Sequence, residues 1–152
     1  LGSTVTYISE DALYTVKDFK FGTNGSAYKE ILCDEKLYMN GRAVFNFTAT
    51  TIPKHIKLHM EQSNLEDKDV DKYILHQGSK YIVDTIRKRL KVDPSKVPFD
   101  MYEYGNTVSS AVPMVLEKEL YKAHDKMLLC AYGIGLSWGS AIIEKQNSKD
   151  IK

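Results

Sequence analysis

His76 closes a short apolar run and opens a helix-like one in KYILHQGSKYIVDTIRKRL, a place from which a side chain can be aimed at chemistry. Imidazole changes charge near neutral pH and serves as acid, base or neutral donor. Asn106 holds the equivalent place in YEYGNTVSS, after the next β-rich run. Its amide donates a hydrogen bond at every pH. Polar side chains at the carboxyl ends of successive parallel strands converge on one crevice. Failing that, the two residues bond only their own loop backbone, and spacing alone leaves both readings open.

Other reactive residue types are weaker. Gly133-Ile134-Gly135 joins two strand-like runs with no helix after it, so a dinucleotide role fails its own context. The glycines instead allow a tight turn with an amide pointing into the crevice. His55 and His59 stand one helical turn apart, but no acidic residue or third ligand accompanies them. The expectation is a solvated helix face and no metal. Cys130, inside MLLCAY, is expected to be a small buried hydrophobe. Cys33 lies among the charges of KEILCDEK; neither cysteine has a histidine near it in sequence, although catalytic partners can be distant along the chain. Asn24-Gly25-Ser26 and Asn46-Phe47-Thr48 fit the glycosylation pattern and, with no secretory signal, are expected to be accidental.

The elements that must position these groups follow from periodicity. Residues 5–9 and 13–21 are β-rich, the second run ending at the turn signal GTNGS. Phe45, Ala49, Ile52, Ile56 and Met60 then recur at helical steps, with Asn40 as the cap. Pro53 falls inside that pattern and predicts a kink or a handover between two helices. After the run 73–75, the spacing predicts a helix over 79–90 with Ile82, Val83, Ile86 and Leu90 inward. Residues 97–102 give a third strand signal, and Ser109 or Ser110 caps a helix with Val112, Val115, Leu116 and Leu120 inward. Strands over 127–132 and 137–144 close the pattern. Alternating strands and helices ending in a hairpin imply an α/β fold with helices packed on a mixed sheet.

At 152 residues and 43% hydrophobic content, the chain has the size of one domain with a real core. A formal net charge of +1 supplies no global field for nucleic acid or an anionic membrane. No apolar run reaches the roughly 18 residues of a membrane span, and LGSTVTYISED lacks the pattern of a signal peptide. The expectation is a cytoplasmic location.

MNGRAVFNF, LHQGSKYIVD, YGNTVSSAVPMVL and AYGIGLSWGSAII, in this order and with these gaps, resemble the C-terminal half of β-ketoacyl-acyl-carrier-protein synthase III, a thiolase-fold condensing enzyme. The resemblance implies a five-stranded mixed sheet flanked by helices over residues 10–145. Residues 1–9 would be a leftover strand of the N-terminal half, and residues 146–152 a polar tail. It implies acyl transfer and decarboxylative condensation of an acyl thioester with a malonyl thioester, with His76 and Asn106 catalytic and the Ile134 amide in the oxyanion hole. The nucleophilic cysteine of that family matches neither Cys33 nor Cys130, so the chain would carry part of the site and be inactive alone. Implied substrates are acyl-CoA and malonyl-ACP, with no permanently bound cofactor and no metal. Implied partners are acyl carrier protein or CoA thioesters, the N-terminal half of the same enzyme, and a second copy in a homodimer.

The family's HQAN with a basic residue two places on is here HQGSKY, which puts Ser79 at the asparagine position and Tyr81 at the arginine position. Those positions are associated with cofactor contact and carrier docking. Lys80 and Arg87 either compensate by meeting an acidic carrier protein or form a solvated helix face. Two other functions stay in view: a related acyltransferase acting on an alcohol or amine without decarboxylation, and a non-catalytic module that binds a carrier protein.

Overall fold

The structure is a computed structural model that describes residues 12–146. The strand expected over residues 5–9, the leftover segment 1–9 and the tail beyond 146 lie outside the described residues. Among the described residues, six strands and three α-helices follow in order: β1 (Tyr14–Thr23), β2 (Ile31–Cys33), β3 (Leu37–Met39), α1 (Gly41–Gln62), β4 (Lys72–Leu75), α2 (Lys80–Leu90), α3 (Ala111–Leu120), β5 (Lys126–Gly133) and β6 (Ser137–Lys145).

Four strands form one mixed sheet in the order β1-β6-β5-β4, while β2 and β3 pair as a separate hairpin. β4 runs parallel to β5, with Leu75 opposite Cys130. β5 pairs antiparallel with β6, and β6 with β1. Alternation along the strands sorts the core onto two faces. Tyr73, Leu75, Leu128, Cys130 and Ile142 meet Ile52 and Ile56 of α1 and Val83 and Ile86 of α2. On the opposite face, Ile74, Met127 and Ile143 pack against Val115 of α3.

The five-stranded expectation is corrected to four among the described residues, because residues 97–102 form no strand. Pro98 has no amide to offer a ladder. The buried Gln77 supplies the link instead: its Nε2 donates to Leu75 O at 2.8 Å and Pro98 O at 3.4 Å, and its Oε1 accepts from Asp100 N–H at 3.0 Å. One side chain thus does what strand pairing would have done.

α1 starts where expected, with Asn40 Oδ1 accepting from the Ala43 amide at 3.2 Å. It then runs through Pro53 as one helix of 22 residues. The missing amide is tolerated because Ile52, Pro53 and Ile56 are all buried, and packing rather than one backbone bond fixes the helix. The same helix overturns the expected solvated histidine face. His59 is only 1% exposed, since β6 and β1 pass directly beneath it. Among the described residues, no helix is long and apolar enough to cross a membrane.

Candidate active site at the strand ends

β4 and β5 are parallel, so their carboxyl ends lie at one end of the sheet, and His76 is the first residue beyond β4. Its amide donates to Cys130 O at 2.8 Å, which extends the ladder by one residue and fixes where the side chain leaves the sheet. The imidazole stands edge-on to Tyr132, with ring centroids 5.3 Å apart at 83°. The Tyr132 hydroxyl donates to the His76 carbonyl at 3.3 Å. Burial holds the His76 pKa below its usual value, so the ring is neutral near pH 7. Among the described residues no side chain bonds either ring nitrogen.

Asn106 lies in the loop before α3. Gly105 turns the chain with φ +67°, and its amide donates to Met101 O at 2.8 Å. Asn106 Oδ1 accepts from the Val108 amide at 2.9 Å. That bond consumes the acceptor end of the amide and leaves Nδ2, the donor end, without a partner among the described residues. Val108 adopts φ +55°, an uncommon conformation for a β-branched residue. An ion pair between Lys118 and Asp100 anchors the segment that leads into this loop.

His76 and Asn106 do not bond one another. Their loops are joined through Gln77 and Asp100, beside a cleft lined by Gln77, Met101, Gly105, Thr107 and Met114. Gln77 is the residue sequence reasoning missed. Its only signal was a polar residue between an apolar strand and a helix cap, a pattern equally natural for an exposed loop.

The turn between β5 and β6 lies at the same end of the sheet, just beyond Tyr132. Leu136 holds it through paired backbone bonds with Asn24, at 2.8 and 3.2 Å. Ile134 stands out from the turn, and its amide makes no backbone bond to the described residues.

The three residues associated with carrier contact differ in how they are engaged. Ser79 caps α2, its Oγ accepting from the Ile82 amide at 3.2 Å. Arg87 lies along its helix, with its side chain 18% exposed, and donates to Val92 O at 3.4 Å. Lys80 is exposed, 3.2 Å from Asp84 and 5.3 Å from the Phe99 ring centroid. Beside it, Tyr81 is exposed and stacks on Phe45 with centroids 5.2 Å apart.

Both cysteines are free. Cys130 is buried as expected, and burial pushes its thiol up to about 12. Cys33 lies exposed on the β2–β3 hairpin. Among the described residues, no group of three or more His, Cys, Asp or Glu could hold a metal ion.

The sequence profile described as 3-oxoacyl-[acyl-carrier-protein (ACP)] synthase III C terminal matches residues 60–145. The β-ketoacyl-[acyl-carrier-protein] synthase III of Lactococcus lactis is 38% identical over 113 residues, which cover 70% of this chain and 35% of the relative. That of Streptococcus agalactiae is 36% identical over 129 residues, 81% of this chain and 40% of the relative. The crystal structure of the Thermus thermophilus β-ketoacyl-[acyl carrier protein] synthase III superposes with a TM-score of 0.81 at 27% identity, over 95% of this chain and 50% of that one. The chain therefore spans about a third to two-fifths of the length of these curated relatives.

Proposed function

This chain belongs to the family of 3-oxoacyl-[acyl-carrier-protein] synthase III C-terminal domains, and we propose that within a longer protein it supplies the decarboxylation half of a condensing active site. The observation that carries this reading is that His76, just beyond β4, and Asn106 lie on loops tied together through Gln77 and Asp100, each able to act as a neutral donor. His76 is kept uncharged by burial, and Asn106 has its acceptor end occupied by the Val108 amide.

In the reaction, a malonyl thioester loses its carboxylate as carbon dioxide. The electron pair of the broken carbon–carbon bond moves onto the thioester oxygen as an enolate. Two neutral donors stabilise that oxyanion without handing the carbanion a proton. The enolate carbon then attacks an acyl group held as a thioester on a cysteine, and the thiolate leaves. The Ile134 amide serves the oxyanion of that second step. Neither cysteine here suits the nucleophile's place, so we assign it to the N-terminal half of the same enzyme.

An uncovered apolar face supports that assignment. Val16, Phe19 and Phe21 of β1 lie opposite Ile143, Ala141 and Gly139 of β6, hence on the face that α3 covers elsewhere. Phe19 is 64% and Phe21 79% exposed. We assign this face to the rest of the enzyme, which would work as a homodimer in the cytoplasm on acyl-CoA and malonyl-ACP. Of the residues associated with docking, Lys80 is the one whose charge reaches solvent, and the carrier contact is assigned to it.

The test is malonyl thioester decarboxylation by the full-length protein and its His76→Ala and Asn106→Ala variants. Each variant is expected to lose about 100 to 1000-fold in rate, as for one oxyanion donor. Unchanged decarboxylation in either variant refutes the role given to that residue.

A further inference from the structure

Away from the strand ends, two histidines of α1 share one hydroxyl. Ser140 Oγ on β6 lies 2.8 Å from His55 Nε2 and 2.6 Å from His59 Nδ1. On the far side of its ring, His59 Nε2 lies 3.5 Å from Asp18 Oδ2 on β1, next to the register shift between Val16 and Asp18. The Ser63 hydroxyl donates to Asp18 Oδ2 at 3.1 Å, and the Phe19 amide donates to Oδ1 at 2.8 Å. His59 and Ser140 are buried and His55 is half-buried.

A hydroxyl carries one proton, so Ser140 can donate to only one of the two rings. With both rings neutral, one direction satisfies the two contacts to Ser140 and leaves only buried His59 Nε2 without a hydrogen bond, 3.5 Å from Asp18 Oδ2. His55 Nε2–H donates to Ser140, Ser140 donates to His59 Nδ1, and His59 Nε2–H points at Asp18. The titratable groups acting on the rings are the two histidines themselves on α1, and Asp18 and Lys20 on β1. β6 contributes Ser140 and the Trp138 ring, which meets His55 edge-on at 6.4 Å. Two nitrogens and a hydroxyl fall short of the four ligands of a structural zinc site.

We propose that His55, Ser140, His59 and Asp18 form a proton-relay latch that fastens α1 to β1 and β6, accepts one proton by reversing direction, and opens when a second arrives.

The first proton binds the half-buried His55 at Nδ1. His55 then passes its Nε2 proton to Ser140, and Ser140 passes its own to His59 Nδ1. His55 ends neutral with its proton on Nδ1, Ser140 donates back to His55 Nε2, and cationic His59 lies between Ser140 and the Asp18 carboxylate. The net change is one proton. A second can sit only on His55 Nε2. Two cations then donate to one oxygen, whose own proton has lost its acceptor. Burial and mutual repulsion both oppose that state, so acid frees α1 from the strands.

The experiment uses the full-length protein with 15N-labelled histidine, its ring nitrogens followed by NMR from about pH 8 to about pH 4, well below an ordinary histidine because burial lowers the pKa of both rings. As His59 becomes cationic, His55 should switch tautomer in the same step. At lower pH, the protection factors of the α1 amides, that is, exchange relative to the intrinsic amide rate at each pH, should fall by about tenfold or more, the effect of one unit of pKa difference. Ser140→Ala should abolish the linked tautomer switch. His55→Gln retains a donor for Ser140, should fold, and should lose the acid-driven fall in protection. If Ser140→Ala does not fold, His55→Gln decides. A His55 tautomer unchanged while His59 titrates, or an acid-driven fall in protection in His55→Gln equal to that of the wild type, overturns the proposal.

Discussion

The two donors proposed for decarboxylation, His76 just beyond β4 and Asn106 in the loop before α3, differ in what pH does to them. His76 is neutral because burial opposes its charge, so its folded pKa lies below the ordinary histidine value of about 6.5. The decarboxylation rate of the full-length protein should hold above that value and fall only as pH drops through the lower folded pKa, where a cationic ring would protonate the enolate. A kcat/KM profile against pH checks this, and a break above about 6.5 would contradict it. Asn106 does not titrate, which makes its charge easy to test. Asn106→Asp keeps the acceptor that holds the Val108 amide but replaces the donor with a carboxylate. The expected result is an unchanged melting temperature with a rate loss of about 100-fold or more; a parallel loss of stability would show that the loop, not the donor, had been damaged. The place of His76 was legible because it follows a β-rich run that forms β4, whereas the run before Asn106 forms no strand and the roles of both residues remain proposals. The bond from the Val108 amide that holds Asn106 was not legible, because an asparagine in a loop can equally well face solvent.

At the scale of elements, α2 positions the histidine loop and shows how local signals fix a helix. Ser79 accepts from the Ile82 amide at the start, and Lys91 closes the end with φ +64°. Ser79→Ala should lower stability by about 0.5–2 kcal/mol, read from the urea midpoint of the full-length protein. Lys91→Gly should raise it by up to about 1 kcal/mol, because glycine adopts that conformation without a Cβ penalty. A stabilising Ser79→Ala would show that the serine is held for a ligand rather than for the helix. This helix was readable, since its caps and its apolar stripe lie within a dozen residues. Segment 97–102 was not, because Gln77, twenty residues earlier, takes over the bonding that would have made it a strand. His59 was misjudged for a similar reason. Its burial comes from Ser140 and Asp18, which are distant in sequence and brought beneath α1 only by the sheet order.

At the scale of the molecule, the two faces of the sheet are unequally covered. α1 and α2 together bury one face, whereas α3 covers only the part of the other nearest β4 and β5. β1 is an edge strand of the described sheet and presents stacked Phe19 and Phe21, with centroids 6.3 Å apart, on the uncovered part. Burying a phenylalanine is worth about 1.5–3 kcal/mol, so leaving two in water favours association with whatever apolar surface is present. If the N-terminal half of the enzyme covers this face, Phe19→Asp combined with Phe21→Asp should act oppositely in two settings. In the 152-residue chain alone, the double change should reduce self-association, measured by light scattering. In the full-length protein it should lower the melting temperature and decarboxylation together, because carboxylates would be forced into an internal interface. A full-length protein that tolerates both carboxylates without loss would place the N-terminal half elsewhere, and the exposed phenylalanines would then need another partner.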